Sequence, residues 1–355
     1  MRLHPVVLAG GRGERFWPLS RRARPKQLLP LISDRPMIAD TIDRLRGLAR
    51  PEDTIVLTAR DLADAVREAV PGVPAHRVVG EPVGRNTAPA VALAAWWLAE
   101  AGEDAVAVIL PSDHRIEPAE AFRAELEAAG RIALERRAIV TFGIPPTRPE
   151  TGYGYIESGD PVAAGSRFHP VRAFREKPDR ATAERYAGDG RHLWNAGIFV
   201  FPPAVMIEEI RAHAPEIARA LPGGPARIGD WDAAALERYY AAVPSISIDF
   251  AVMEHSKRAL VARAGFAWDD VGSWAALGDG PADAAGNVAR GRALLEDCRG
   301  VIAFGEGGLI AAVGVSDLVI VRTGDVTLVC PRDRAQDVRA LVARLDGEDE
   351  LRRYR

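Results

Sequence analysis

At 355 residues the chain exceeds the usual size of one hydrophobic core, so one large domain with a smaller companion is expected. Hydrophobic residues make up 48% and charged residues 27%, an ordinary globular balance that excludes disorder by composition. The formal net charge of -3 gives no general attraction to nucleic acid or to an anionic membrane, so any anion site has to be built locally.

Two cysteines, Cys298 and Cys330, cannot form a multi-bridge scaffold, and the apolar run Pro5–Ala9 is too short for a signal-peptide core. With no span of membrane length, a cytoplasmic protein is expected. Only three of the 46 Lys and Arg residues are lysines: Lys26, Lys177 and Lys257. In a chain that otherwise uses arginine, a lysine suggests a need for a compact point charge on a flexible stem.

In chain order, Val6–Ala9, Thr54–Thr58, Ala105–Leu110 and Ala138–Phe142 read as buried strands with crossover helices between them. The repetition predicts an α/β fold with an open, mostly parallel, Rossmann-like sheet and helices on both faces. Its ligands are expected beyond the carboxyl ends of the strands.

The first strand runs into Leu8-Ala9-Gly10-Gly11-Arg12-Gly13-Glu14-Arg15-Phe16-Trp17-Pro18-Leu19-Ser20, whose glycines let backbone N–H groups close around a phosphate chain. It is neither common nucleotide fingerprint: Phe16 occupies the place of the last glycine in G-x-G-x-x-G, and no G-x-x-x-x-G-K-[ST] exists. Arg15 and the following Arg24-Pro25-Lys26-Gln27 gather cations near this cradle, where a plain glycine turn would have none. Arg15 and Lys26 could neutralise a leaving pyrophosphate.

Glu81-Pro82-Val83-Gly84-Arg85-Asn86-Thr87-Ala88-Pro89-Ala90 opens an alanine-rich helix, with Thr87 as the expected cap and Pro89 in the first turn. Leu110-Pro111-Ser112-Asp113-His114 ends a strand, placing Asp113 at the carboxyl edge of the sheet. A lone Asp there is often a turn former, and His114, without partners, reads as structural. Trp268-Asp269-Asp270-Val271-Gly272-Ser273-Trp274 supplies two more carboxylates between aromatics. From about Asn287 short Val/Ile/Leu runs broken by glycine suggest a small β domain without a clean hexapeptide repeat. Val338, Leu341, Val342 and Leu345 then mark a helix behind an Asp333/Gln336 pair resembling a capping box.

The loop L-A-G-G-x-G-x-R-x-W-P-L-S followed by P-K-Q resembles the sugar nucleotidyltransferases, specifically the mannose-1-phosphate guanylyltransferases. The family's further motifs occur in order: E-P-x-x-R-N-T-A-P-A, Gly152-Tyr153-Gly154-Tyr155-Ile156, Phe174-Arg175-Glu176-Lys177-Pro178, Trp194-Asn195-Ala196-Gly197-Ile198-Phe199, Ser247 to Glu254 and W-D-D-V-G-S-W. The resemblance runs from Leu8 to Trp274. It implies that Leu8, Gly10, Gly11, Gly13 and Pro111 lie against the nucleotide with Thr87, and that Glu81 and Asn86 read guanine. Arg15 and Lys26 would hold the triphosphate, and Lys177 the attacking phosphate.

Gly154, Glu176, Asn195 and Asp249 would meet the sugar, although Asp249 could equally cap the helix that begins there. Asp113 and Asp270 would bind Mg²⁺, which normally takes one or two protein carboxylates plus substrate phosphates; whether Asp269 joins them is open. GTP and mannose 1-phosphate would be the substrates, and GDP-mannose and pyrophosphate the products. Residues 1–282 would form the catalytic domain and 283–355 a small domain resembling a short left-handed β-helix that contributes to a homodimer.

About eighty residues follow Gly272, too few for both an added isomerase barrel and the small β region, so a single activity is expected. Two alternatives stand beside this reading. One is a relative using glucose 1-phosphate or another nucleotide; the other is a catalytically silent nucleotide sensor, against which the intact Arg15, Lys26, Asp113, Lys177 and Asp270 argue.

Overall fold

The computed structural model describes residues 1–11, 13–221 and 232–355. They form two compact units: Met1–Gly10, Ile42–Ser112 and Ile116–Trp268 in the first, and Gly11–Thr41, Asp113–Arg115 and Asp269–Arg355 in the second. The strands are β1 Arg2–Ala9, β2 Ile55–Ala59, β3 Val78–Glu81, β4 Ala105–Pro111, β5 Arg115–Glu117, β6 Ile139–Ile144, β7 Tyr155–Ser158, β8 Phe168–Arg175, β9 His192–Phe201, β10 Ala259–Arg263 and β11 Ala267–Asp269. After them come β12 Val288–Glu296, β13 Ile302–Val313, β14 Leu318–Arg322 and β15 Thr327–Pro331.

Among the described residues the first unit carries a nine-stranded sheet in the order β3-β2-β1-β4-β9-β6-β10-β8-β7. β1, β2, β3 and β4 are mutually parallel, and β6 pairs with β10 in the same sense. β9 enters between β4 and β6 antiparallel to both, and β8 runs antiparallel to its neighbours β10 and β7. The four strands read from apolar runs are all present, as β1, β2, β4 and β6. In β4 Ala105 to Leu110 are all buried, as a strand covered on both faces requires. Helix Thr87–Leu98 is buried from Ala88 onward, because its alanines are small enough to pack on every side. The core it joins includes Phe199, Val205, Ile210 and Val252.

Two helix starts differ from expectation. Asn86, not Thr87, caps helix Thr87–Leu98: its side chain accepts a bond from the Thr87 N–H at 2.9 Å. The Thr87 hydroxyl instead accepts from the Ile248 N–H at 2.9 Å. The terminal helix Val338–Gly347 buries Val338, Val342 and Leu345, but Asp333 and Gln336 lie in a preceding 3₁₀ turn, Arg332–Asp337, so no capping box forms. A fourth expected apolar position, Leu341, stays exposed.

The second unit contains β12, β13 and β14 in parallel register, with β15 antiparallel on β14. Gly300, at φ 63°, turns the chain where an added Cβ would come 2.5 Å from Asp317 Oδ1. The core of this unit joins Phe16, Trp17 and Leu29 to Trp274, Phe304, Val319 and Val342. Trp274 is fully buried, donates its indole N–H to the Trp17 carbonyl at 3.0 Å and meets Phe16 edge-on. Trp17 and Trp274 are therefore core residues that hold the loop after β1 and the stretch Asp269–Trp274 in one unit. No helix among the described residues is long and apolar enough to cross a membrane.

Candidate active site

The second unit contains an open pocket of about 430 Å³ lined by Gly13, Arg15, Lys26, Asp113, His114, Asp270 and Arg339, among others. Its centre is Lys26, whose side chain is only 7% exposed. The ammonium group bonds Asp113 Oδ2 at 2.8 Å and donates to the Asp270 carbonyl at 2.6 Å. One lysine thus ties together two aspartate segments that lie far apart in sequence. Burial pushes the Asp113 carboxyl up, but the Lys26 ammonium, then His114, outweigh it and hold the group below the usual carboxylate range. His114, read from sequence as structural, lines the pocket and belongs to this electrostatic set.

Two glycines that line the pocket, one in the loop after β1 and one in the W-D-D segment, have a steric reason to be glycine. At Gly13, φ is 60° and an added Cβ would lie 2.3 Å from the Lys26 Cβ, so only glycine lets the loop backbone close on the lysine. At Gly272 a Cβ would stand 3.1 Å from both carboxylate oxygens of Asp270. Gln27, buried beside Lys26, donates to the Gly11 carbonyl at 2.9 Å and fixes the loop from below. Arg15 donates to the Gly272 carbonyl at 3.3 Å. Asp269 Oδ1 accepts from the Val271 N–H at 2.5 Å, an Asx-type turn that holds the β-branched Val271 at φ 48°. That turn presents Asp270 to the pocket and gives Asp269 a local structural duty.

In the first unit, Leu8 and Pro111 are register partners at the ends of β1 and β4, and the Leu8 carbonyl accepts from Ser112 N–H at 3.2 Å. Glu81 ends β3, with Oε2 placed 3.4 Å from where a Cβ on Gly10 would be. Its other oxygen, Oε1, accepts the Tyr240 hydroxyl at 2.7 Å. Burial pushes the Glu81 carboxyl up to about 7, and the Tyr240 hydrogen bond works against that rise. Tyr240 was not legible as a site residue, since it sits in the helix Ala233–Ala242 among ordinary core positions. Asn86 is exposed at φ 64°, a backbone state that strains an ordinary L residue.

A second cluster of the first unit centres on Asn195 in β9. Its Oδ1 accepts from Thr141 Oγ1 and from the Gly197 N–H, both at 3.1 Å, while Nδ2 donates to Asp249 Oδ1 at 3.0 Å. Its backbone N–H donates to the Gly154 carbonyl at 2.8 Å. Asn195 therefore spends its acceptor capacity inside the protein and orients Asp249. Asp249 begins a π-helical turn, Asp249–Met253, without capping it from its side chain. Burial, then the neighbouring Glu176 carboxylate, push its carboxyl up to about 7.

Glu176 is 8% exposed in its side chain and accepts the Lys177 ammonium at 2.5 Å. Its N–H is held at 3.0 Å by Oε1 of Glu254, the last residue of the Ser247–Glu254 motif, to which the sequence assigned no role. A Cβ on Gly154 would come 2.6 Å from Glu176 Oε2, so this glycine gives the carboxylate its room. Lys177 is at φ 44° with 61% of its side chain exposed, in contrast to the enclosed Lys26. The expected sugar-facing residues Gly154, Glu176, Asn195 and Asp249 thus form one connected group.

The glycine-walled pocket gathers Arg15, Lys26 and Arg339 beside Asp113 and Asp270, a set that can meet both phosphate oxygens and a divalent ion, the equipment of a phosphate-transfer enzyme. Residues 4–286 match the family model for nucleotidyl transferase, and the chain belongs to that family. Residues 291–345 match a second model, the MannoseP isomerase/GMP-like β-helix domain, which accounts for the parallel rungs β12 to β14. The chain is 38% identical over 353 residues to the mannose-1-phosphate guanylyltransferase RfbM of Salmonella typhimurium, covering 97% of this chain and 73% of the relative. It is 41% identical over 348 residues to the xanthan biosynthesis protein XanB of Xanthomonas campestris, covering 96% and 73%. A crystal structure described as a mannose-1-phosphate geranyltransferase from Thermus thermophilus superposes with a TM-score of 0.87 at 38% identity, covering 98% of this chain and 100% of that one.

Proposed function

We propose that the chain makes GDP-mannose and pyrophosphate from GTP and mannose 1-phosphate. The observation that carries this reading is Lys26, enclosed between Asp113 and the Asp270 main chain in a pocket that also holds Arg15. A phosphate oxygen of the sugar phosphate attacks the α-phosphorus in line. The bond from that phosphorus to the bridging oxygen breaks, and the electron pair leaves on pyrophosphate. Arg15 and Lys26 stabilise the charge that develops there, and Lys177 holds the incoming phosphate. Glu176 and Asp249 accept from sugar hydroxyls, with Asn195 keeping Asp249 in place, and Glu81 and Asn86 face the base.

The donor set suits Mg²⁺: Asp113 and Asp270 offer hard carboxylate oxygens in one pocket, with no thiolate beside them. When bound, the ion would neutralise the reacting phosphates. Residues 1–282 carry the transfer chemistry in this reading, and 283–355 the small β region; the enzyme works in the cytoplasm as a homodimer. Purified protein with Mg²⁺, each nucleoside triphosphate and either mannose 1-phosphate or glucose 1-phosphate, followed by pyrophosphate release, tests the assignment. GTP with mannose 1-phosphate is expected to be the preferred pair. Preference for another pair moves the chain to a different substrate within the family, and no release with any pair leaves a silent binding protein.

A further inference from the structure

Glu81 is an expensive group to bury. It ends β3 with 9% of its surface exposed, and its Oε2 is directed at Gly10, just beyond the end of β1. An open α/β sheet places its ligands at this carboxyl edge. A carboxylate there accepts from a base's N–H donors on both oxygens, and most strongly, while it is ionised. Once protonated, it presents a donor and suits a base with an acceptor at the same place.

One hydroxyl supports the ionised form. Tyr240 is fully buried, and its O–H reaches Glu81 Oε1 at 2.7 Å. A phenol near neutral pH donates, and burial with the adjacent carboxylate pushes Tyr240 well above its ordinary value, so it remains a donor. The donation uses one of the carboxylate's acceptor directions and fixes its plane, leaving Oε2 for a ligand. Tyr240 is itself anchored: its carbonyl accepts from Arg85 Nε at 3.0 Å, and the adjacent Tyr239 hydroxyl donates to the Pro89 carbonyl at 2.8 Å. The helix carrying both tyrosines thereby grips the segment from Glu81 to Pro89 at both ends. Among the described residues, the other charged groups around this place are Arg85, on the turn after β3, and Arg60, packed on Gly80 and ion-paired with Glu237 of the same helix at 2.8 Å. Among the described residues, none of the hydrogen bonds these two arginines make here reaches Oε1, and Tyr240 is the donor to it.

We infer that Tyr240 is a positioning residue for nucleotide choice: by donating to Glu81 Oε1 it fixes the plane of that carboxylate and leaves Oε2 as an acceptor aimed past Gly10, which favours guanine over adenine. The inference rests on the reading of Glu81 as a base-facing residue. Tyr240 touches no substrate, and its effect passes entirely through Glu81.

The test compares wild type, Tyr240→Phe and Glu81→Gln in kcat and KM for GTP and for ATP between pH 5.5 and 8.5, with melting temperatures as a check on folding. Tyr240→Phe keeps the ring and removes only the donor. It should leave kcat with GTP within about twofold at high pH, while the pH below which KM for GTP rises moves up by about one unit. At neutral pH the preference for GTP over ATP should fall by about tenfold. An unchanged pH midpoint, or an equal loss with both nucleotides, overturns the role of Tyr240. If Glu81→Gln leaves KM for GTP unaltered, the base-facing reading itself fails; if Glu81→Gln weakens GTP and Tyr240→Phe does not shift the profile, only the present inference fails.

Discussion

The Lys26 pocket and the Asn195 cluster each hold a carboxyl group beside a charged neighbour, and the two groups respond in opposite directions. Asp113 lies 2.8 Å from an ammonium that is itself enclosed, so attraction overcomes burial and the acid is held ionised. Asp249 sits beside another carboxylate, Glu176, and the cation in its vicinity, Lys177, is 61% exposed and already paired with Glu176. Water screens that charge, so burial and like-charge repulsion prevail and the acid is pushed up to about 7. The state of an aspartate is thus set by the enclosure of its partner as much as by the partner's sign. The pocket suits the neutralisation of anions; the cluster suits hydroxyl groups that donate to carboxylates.

The largest effects should come from removing the charges on which this contrast depends. Asp113→Ala and Lys177→Ala should each abolish pyrophosphate release, a loss of ~10³-fold or more, with melting curves showing an intact fold. Near-normal turnover in both variants would remove the site assignment. A smaller effect should follow from crowding the cluster without altering any charge. In Gly154→Ala the new methyl meets Glu176 Oε2 at 2.6 Å, so the carboxylate must shift, and KM for the sugar phosphate should rise by about tenfold with KM for GTP little changed. Equal changes in both constants would show that Glu176 does not act on the sugar side.

The smallest effect is on stability. Because the folded-state pKa of Asp249 lies above its ordinary value, the native protein binds the proton more tightly than the unfolded chain. Wild type therefore loses stability as pH rises from about 4 through 7, and the loss is complete above that range. Asp249→Asn cannot ionise, so its melting temperature should exceed that of wild type at pH 8, by ~2 °C, with the gap closing towards pH 4. A gap of constant size across that range would mean that Asp249 does not titrate within it.

These tests concern residues that were unequally visible beforehand. Lys26 and Lys177 stood out because the chain uses lysine so sparingly, and Asp113 because it follows a run of six apolar residues at a strand end. Tyr240 and Glu254 gave no such signal. Each acts by a side-chain hydrogen bond to a residue far away in sequence, and a tyrosine or glutamate looks alike whether or not it makes one. The helix caps show the same limit at short range. Asn86 and Thr87 are both competent caps, and the choice fell to Asn86 because the Thr87 hydroxyl is engaged by the Ile248 N–H.

What the sequence by itself determined is whatever depends on local pattern: the buried strands β1, β2, β4 and β6, the glycine turn that only small residues can make, and the order of motifs that marks the nucleotidyl transferase family. Tertiary structure alone decided which distant groups meet. Lys26 joins Asp113 to the Asp270 carbonyl, Trp274 brings the W-D-D segment against the loop after β1, and β9 enters the sheet in reverse between β4 and β6. The physical reason is that hydrophobic period and turn chemistry act between near neighbours along the chain. Burial, like-charge repulsion and the enclosure of a counter-charge exist only once remote segments have packed together.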